Sequence, residues 1–271
     1  ISLGAINGSS ATNTITFNGV DKDSVMLWDG SNNFTSNYVI DLNGASYITF
    51  QNLKIRNTSS TYKYVVNFSG ASNNITFNNN YLYNDSSVAY ITTSTNSSIV
   101  YSSNGSNSDS LKFTNNIMIG GSYAFYMYGS GTTSLAKNLV IEANTIKSYY
   151  YGMRLYYQDA PKVRNNIIDM SLSGYTGTMY GIYPWYCDNA FEVTGNVINL
   201  SRPNGTTYGI YAANNDGSGS QRALISNNMI ITGDTNSTST NYGIYCSSCG
   251  FQDIYNNSIN VLSNSTFARG I

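Results

Sequence analysis

Apolar and polar positions alternate along the chain in short runs, and one run recurs. Its form is an apolar residue, any residue, a small residue or Asn, then Asn, any residue and an aliphatic residue. Clear copies are Phe77-Asn78-Asn79-Asn80-Tyr81-Leu82, Phe113-Thr114-Asn115-Asn116-Ile117-Met118, Ile141-Glu142-Ala143-Asn144-Thr145-Ile146 and Val163-Arg164-Asn165-Asn166-Ile167-Ile168. Further copies span 193–198, 225–230 and 254–259, and weaker ones start at Phe17 and Phe50, with Val20 and Leu53 in place of the Asn. Successive copies begin 22 to 36 residues apart. That spacing is too irregular for a helical or leucine-rich repeat, and Gly, Asn, Ser and Thr rather than helix formers separate the β-forming runs.

A second motif lies between copies of the first: Tyr151-Gly152-Met153, Tyr180-Gly181-Ile182, Tyr208-Gly209-Ile210, Tyr242-Gly243-Ile244 and Arg269-Gly270-Ile271, with Tyr123-Ala124-Phe125 as a looser copy. Each repeat therefore carries at least two fixed strands, and the length variation falls between them. The pattern predicts an all-β fold, a right-handed single-stranded parallel β-helix of about nine coils, occupying residues 1–271 as one domain. Nine coils at about 4.8 Å make a solenoid on the order of 40 Å long. Because the last copy of the second motif ends as soon as it opens, the sequence is expected to be a fragment cut within a coil.

The recurrent Asn has a physical reason. A sharp turn between sheets needs a residue that tolerates positive φ, which Asn does best after Gly. Coils stacked at strand spacing would also let Asn80, Asn116, Asn144, Asn166, Asn196, Asn228 and Asn257 bond amide to amide along the axis.

Composition narrows the function. Only 10% of the residues are charged and the net charge is −1, which leaves no basic face for nucleic acid or anionic lipid. No stretch approaches the roughly 20 apolar residues of a membrane span, so direct membrane insertion is not expected. The neutral, Asn-, Ser-, Thr- and Gly-rich surface with 25 Tyr points to an exported protein.

Tyr47-Ile48-Thr49-Phe50-Gln51-Asn52-Leu53-Lys54-Ile55-Arg56-Asn57, with the Asn-Asn-x-Ile and Tyr-Gly-Ile repeats after it, resembles the pectate-lyase-like β-helix repeat domains. More narrowly, Ile15-Thr16-Phe17 to Val25-Met26-Leu27, then Tyr38-Val39-Ile40-Asp41-Leu42-Asn43-Gly44-Ala45, resembles the β-helix regions of large Bacteroidetes surface proteins exported by type IX secretion. The resemblance covers almost the whole chain. It implies an extracellular or cell-surface location associated with the outer membrane, a protein partner in the same surface or secretion assembly, and a separate sorting domain. It does not choose an activity, because the same solenoid carries lyases, hydrolases, adhesins and tailspikes.

Catalytic chemistry finds little support. The sequence has no His, which removes the commonest general base and every Ser-His or Cys-His arrangement. The only glutamates, Glu142 and Glu192, sit at outward strand positions where Arg164 and Lys162 of neighbouring coils are expected to pair with them. Asp21-Lys22-Asp23 and Asp216 read as turns rather than calcium ligands. Neither a metal nor a cofactor is expected. Of the three cysteines, Cys246 and Cys249 either form a local disulfide or join Cys187 as thiols, with Cys187 and Cys249 in one column two coils apart. Asp23-Ser24-Val25 and Asp109-Ser110-Leu111 match the pattern that Bacteroidetes O-glycosylate, which makes Ser24 and Ser110 candidate glycosylation sites by that resemblance.

The remaining feature is aromatic. Two residues after the Gly of the second motif come Tyr126, Arg154, Tyr183, Tyr211 and Tyr245, and two further on come Tyr128, Tyr156 and Trp185. With Ile182, Ile210 and Ile244 inward, alternation sends these side chains outward as one strip. Such a strip can support itself as a ladder, anchor a protein or stack on a glycan. The expected function is a non-enzymatic surface solenoid, a stalk or adhesin segment that displays this face. The alternative is a polysaccharide-active β-helix enzyme or a tailspike-like glycan-binding module.

Overall fold

In the computed structural model, which describes every residue except 85–92, 104, 203 and 204, each coil contributes three strands. The apolar residue that opens the Asn motif belongs to a strand of the second sheet, a two-residue corner follows, and the last residues of the motif lie in the third. Val140–Glu142 leads in this way to Thr145–Lys147, and Lys162–Arg164 to Ile167–Asp169. The Tyr-Gly-Ile motif lies in the first sheet, as in Tyr151–Asp159 and Met179–Asp188. Nine strands stack in each sheet, joined by about eight full turns, and a short extra strand, Ala136–Lys137, lies beside Tyr151–Asp159. All strand pairs in the three sheets are parallel, and no helix occurs among the described residues. The fold is a parallel β-helix.

The opening residues of the nine Asn-motif copies fall in strict register. Phe17 pairs with Phe50, Phe50 with Phe77, Phe77 with Phe113, and Phe113 with Ile141; the column continues through Val163, Val193 and Ile225 to Ile254. Its four phenylalanines stack nearly parallel at 5.0, 4.7 and 5.3 Å. Around this column an apolar core runs from Val39 to Ile244 without interruption.

Corner asparagines divide the two tasks that the sequence assigned to one residue. The positive φ belongs to the residue before the column position, namely Asn52, Asn79, Asn115, Ala143, Asn165, Gly195, Asn227 and Asn256, at 53–68°, and only in the first copy to the column residue itself, Val20, at 65°. The column asparagine itself turns inward, and Asn80, Asn116, Asn144, Asn166, Asn196 and Asn228 are each at most 1% exposed. Each amide is fully used. Asn166 donates from Nδ2 to Asn196 Oδ1 at 3.0 Å and to the Ile141 carbonyl at 2.9 Å. Its Oδ1 accepts from both Nδ2 and the backbone N–H of Asn144, each at 3.0 Å. The same links join Asn80 to Asn116 to Asn144 and continue through Asn196 and Asn228 to Asn257.

Glycine in the second motif also has a packing reason. Gly181 and the following Ile182 are both buried, so strand alternation is interrupted there. A Cβ on Gly181 would lie 2.5 Å from the carbonyl oxygen of Gly209 and 2.7 Å from Ile198 Cγ2. Only a bare Cα lets the first sheet approach the third so closely.

The expected ion pairs are corrected by geometry. Glu142 does sit beside Arg164, and Lys162 beside Glu192, yet the pair that forms is diagonal, from Arg164 Nε to Glu192 Oε2 at 2.6 Å. Glu192 lies two residues before Thr194, the register partner of Arg164. It is therefore on the same face, within reach of a long guanidinium.

Asn166→Leu would leave the backbone N–H and one side-chain N–H of Asn144 buried without partners, and Asn196 Oδ1 would keep only the backbone N–H of residue 166. Urea denaturation should show a loss of at least about 3 kcal/mol, whereas Asn165→Gly at the preceding corner should change stability by less than about 1 kcal/mol.

Candidate functional site

The interrupted alternation at Gly puts two tyrosine columns on the outside of the first sheet. Strict alternation would have turned the Tyr that opens the second motif inward, and for that reason the sequence reading missed it; the signal was in the motif itself. Tyr123, Tyr151, Tyr180, Tyr208 and Tyr242 stack face to face at 5.0, 4.5, 5.1 and 4.8 Å, with interplanar angles of at most 11°. Their faces cover one another. This column is a self-supporting ladder that leaves ring edges and hydroxyls to its surroundings.

The second column holds Tyr126, Arg154, Tyr183, Tyr211 and Tyr245, and the third holds Tyr128, Tyr156 and Trp185. All of these are half-buried except Tyr156, which is only 4% exposed. The expected display of Tyr156 is therefore corrected: Arg154, Tyr128 and Trp185 cover it. Ring orientation changes along the second column. Tyr183 lies within 19° of Tyr180, while Tyr211 stands at 85° to Tyr183 and 87° to Tyr208, with Tyr245 parallel to Tyr211 within 17° at 5.1 Å.

Arg154 occupies the place of a ring in this column. Its guanidinium lies 4.4 Å from the ring centre of Tyr156 and 5.4 Å from those of Tyr126 and Tyr151, and its Nε donates to the Tyr156 hydroxyl. Burial pushes the phenols of Tyr156 and Tyr208 up to about 12 and raises those of Tyr123, Tyr151 and Tyr183 further. The face presents phenol hydroxyls with Arg154 among them, and Arg269 stands in register beside Tyr242.

A further column, missed in the sequence, runs beside the corner between the first and second sheets. Asp159, Asp188 and Asp216 each fall eight residues after a motif Tyr, a constant offset that would have revealed them. Asp188 Oδ1 accepts the backbone N–H of Asp216 at 3.0 Å, as Asp109 Oδ1 accepts that of Lys137 at 2.7 Å. Burial, and the charges of Asp216 and Asp159 beside it, raise the Asp188 carboxyl. Asp109, Lys137 and Asp159 border a polar hollow of about 470 Å³ that also takes in Asn107 and the 132–135 loop.

The cysteines are all free thiols. Cys187 is buried, and Asn215 stands between it and Cys249, donating no charge but accepting the Cys187 N–H at 2.6 Å. Cys246 and Cys249 are free thiols rather than joined in the disulfide that the sequence allowed. Ser248, at φ 54°, precedes Cys249, whose thiol donates to the carbonyl of Ala212 at 3.4 Å. Ser24 lies exposed in a turn built on Asp21. Ser110 is half-buried at φ 57°, its hydroxyl accepting from Asn138 at 3.3 Å.

Residues 92–269 match the family model described as "Periplasmic copper-binding protein (NosD)". No curated protein matches the chain. Among solved structures, the chain is similar to the crystal structure of GH136 lacto-N-biosidase from Eubacterium ramulus, with 12% identity and a TM-score of 0.53. That likeness covers 96% of this chain and 60% of the other, and it shows the fold alone. Copper has few donors here. No His exists, no group of three or more Cys, Asp or Glu gathers among the described residues, and the Cys246–Cys249 thiols find no third ligand. These residues do not compose a copper centre by themselves.

The raised phenols set an alkaline limit. An unfolded Tyr ionises near pH 10, whereas Tyr156 and Tyr208 stay protonated to about 12. The stability they contribute is therefore full below pH 10 and is lost as pH rises from 10 through 12. Denaturation midpoints should fall across that window, and ultraviolet titration should show a tyrosine fraction that ionises only with unfolding. Ionisation of all 25 tyrosines near pH 10 with the fold intact would contradict this.

Proposed function

The chain belongs to the family described as periplasmic copper-binding protein (NosD), and from that premise we propose that it is a non-catalytic β-helical module of the cell envelope or surface. Its first sheet serves as a docking face for an extended ligand, either a glycan or a protein partner. The family's periplasmic description supports a location outside the cytoplasm. Outer-surface display as a stalk or adhesin, with export by type IX secretion, belongs to the same proposal and rests on the sequence resemblance.

One observation carries the reading: three outward columns of tyrosines, with one tryptophan and one arginine among them, line up coil upon coil on a single face. Face-stacked rings of the first column hold the sheet in register. The second column, with its turned rings and hydroxyls, and Tyr128 and Trp185 of the third are the part free to meet a ligand. A repeating array suits a repeating or extended ligand better than a compact one, since each coil offers similar groups at strand spacing.

A second reading is favoured by the hollow at Asp109 and Asp159. These carboxylates lie two coils apart, about 9 to 10 Å, which falls near the separation used for inverting glycoside hydrolysis. In that reading the chain acts on a polysaccharide, with Lys137 between the two acids.

Incubation with a panel of polysaccharides separates the two. The docking reading expects retention on at least one ligand, weakened about tenfold in Tyr211→Ala and Tyr245→Ala at unchanged melting temperature, without new reducing ends or unsaturated products. Turnover that disappears in Asp159→Asn would replace it with the enzymatic reading.

A further inference from the structure

Arg154 is the charged side chain of the second tyrosine column, the other cation in register with the columns, Arg269 beside Tyr242, lying four coils away, and no carboxylate lies within ion-pair distance of Arg154 among the described residues. Its place in the column is shared with Tyr126 on one side and Tyr183 on the other. Removing a guanidinium partly from water without an opposite charge costs stability that an apolar or aromatic residue there would avoid. Three tyrosine rings offset part of that cost through their faces, at 4.4 to 5.4 Å.

The same rings fix the orientation of the group. Nε is taken by the Tyr156 hydroxyl, and the rings of Tyr126, Tyr151 and Tyr156 flank the guanidinium. The planar fork is thereby held with donors to spare, the arrangement that receives two oxygens of one oxyanion side by side. Along the axis on either side lie neutral phenol hydroxyls, which donate to and accept from alcohols. Around Arg154 the face thus offers one anion-binding point within a line of alcohol-binding points.

We propose that Arg154 is the specificity-determining residue of this face, and that its ligand is a linear glycan bearing an acidic group, a sugar carboxylate or sulfate, placed over the guanidinium while neighbouring sugars lie along the tyrosine columns. A glycan is favoured over an acidic protein segment because Arg154 is flanked by hydroxyls on both sides and the next cation of the face, Arg269, lies four coils away. An acidic peptide would call for several cations. The inference rests on the reading of the first sheet as a docking face and adds the chemistry that selects the ligand.

The test compares the wild-type chain with Arg154→Gln, Arg154→Lys and Tyr211→Ala by binding to immobilised linear polysaccharides of similar length: neutral, carboxylated and sulfated, with poly-glutamate as a fourth probe. The wild type should prefer a charged glycan to the neutral one, and the preference should fall at high salt. Arg154→Gln should weaken that binding at least tenfold while leaving neutral binding unchanged. Arg154→Lys keeps the charge and the stacking but not the fork, and should lie between the two; its melting temperature guards against a folding defect in the glutamine variant. The carboxylated and sulfated arms tell the two acidic groups apart.

Binding of neutral and acidic glycans alike, lowered by Tyr211→Ala but not by Arg154→Gln, would overturn this assignment and leave the docking face standing. Tighter binding of poly-glutamate than of any glycan would overturn the glycan class. No binding to any probe, with all variants equally inert, would overturn the docking reading together with the inference.

Discussion

Each amide in the column from Asn80 to Asn257 has two donors and an acceptor to satisfy, and the neighbouring coils supply the amide-to-amide partners. That constraint sets the rest of the structure. A coil displaced by one residue would put the amide out of reach of its neighbours and leave several polar groups buried without bonds, a penalty far above the cost of a lost surface contact. The phenylalanine stack from Phe17 to Phe113 and the aliphatic column that follows it can slide more easily, since dispersion and burial are not directional. Register therefore belongs to the asparagines and cohesion to the apolar column beside them.

Register in turn makes the outer face. Because every coil is held over the one before, side chains that recur in sequence recur in space at strand spacing, and tyrosines become stacks instead of scattered surface rings. The glycine of the second motif lets the first sheet close on the third, and in doing so it brings a second tyrosine of each coil to the outside. Aromatic stacking, hydroxyl groups and the Arg154 guanidinium are what this surface offers. A chain with 10% charged residues and no histidine has little else with which to recognise a ligand, and the carboxylates that it does have are largely engaged. Arg164 holds Glu192, and the backbone of the next coil holds Asp109 and Asp188.

The family and the structural neighbour fit this picture at the level of architecture. Both are compatible with a β-helix, and the neighbour's 12% identity says nothing about which of its residues, if any, have counterparts here. A parallel β-helix is built from a local rule repeated, so unrelated activities can be placed on its outer faces without altering the rule within.

How much was legible in the sequence follows from the same distinction. The stacked repeats, their order and their register could be read directly, because the Asn motif and Tyr-Gly-Ile recur in phase, and a periodic constraint leaves a periodic trace. The second and third aromatic columns could be read as well, by alternation from an inward Ile. Other features depend on distances between coils that no linear pattern states. The positive φ at Asn165 instead of Asn166, the outward turn of Tyr180, the diagonal reach of Arg164 to Glu192 and the covering of Tyr156 all arose when three sheets closed around one core. Strand alternation is a rule about one chain segment in isolation. Where Gly181 allows two sheets to touch, packing overrides it, and only the folded molecule records the result.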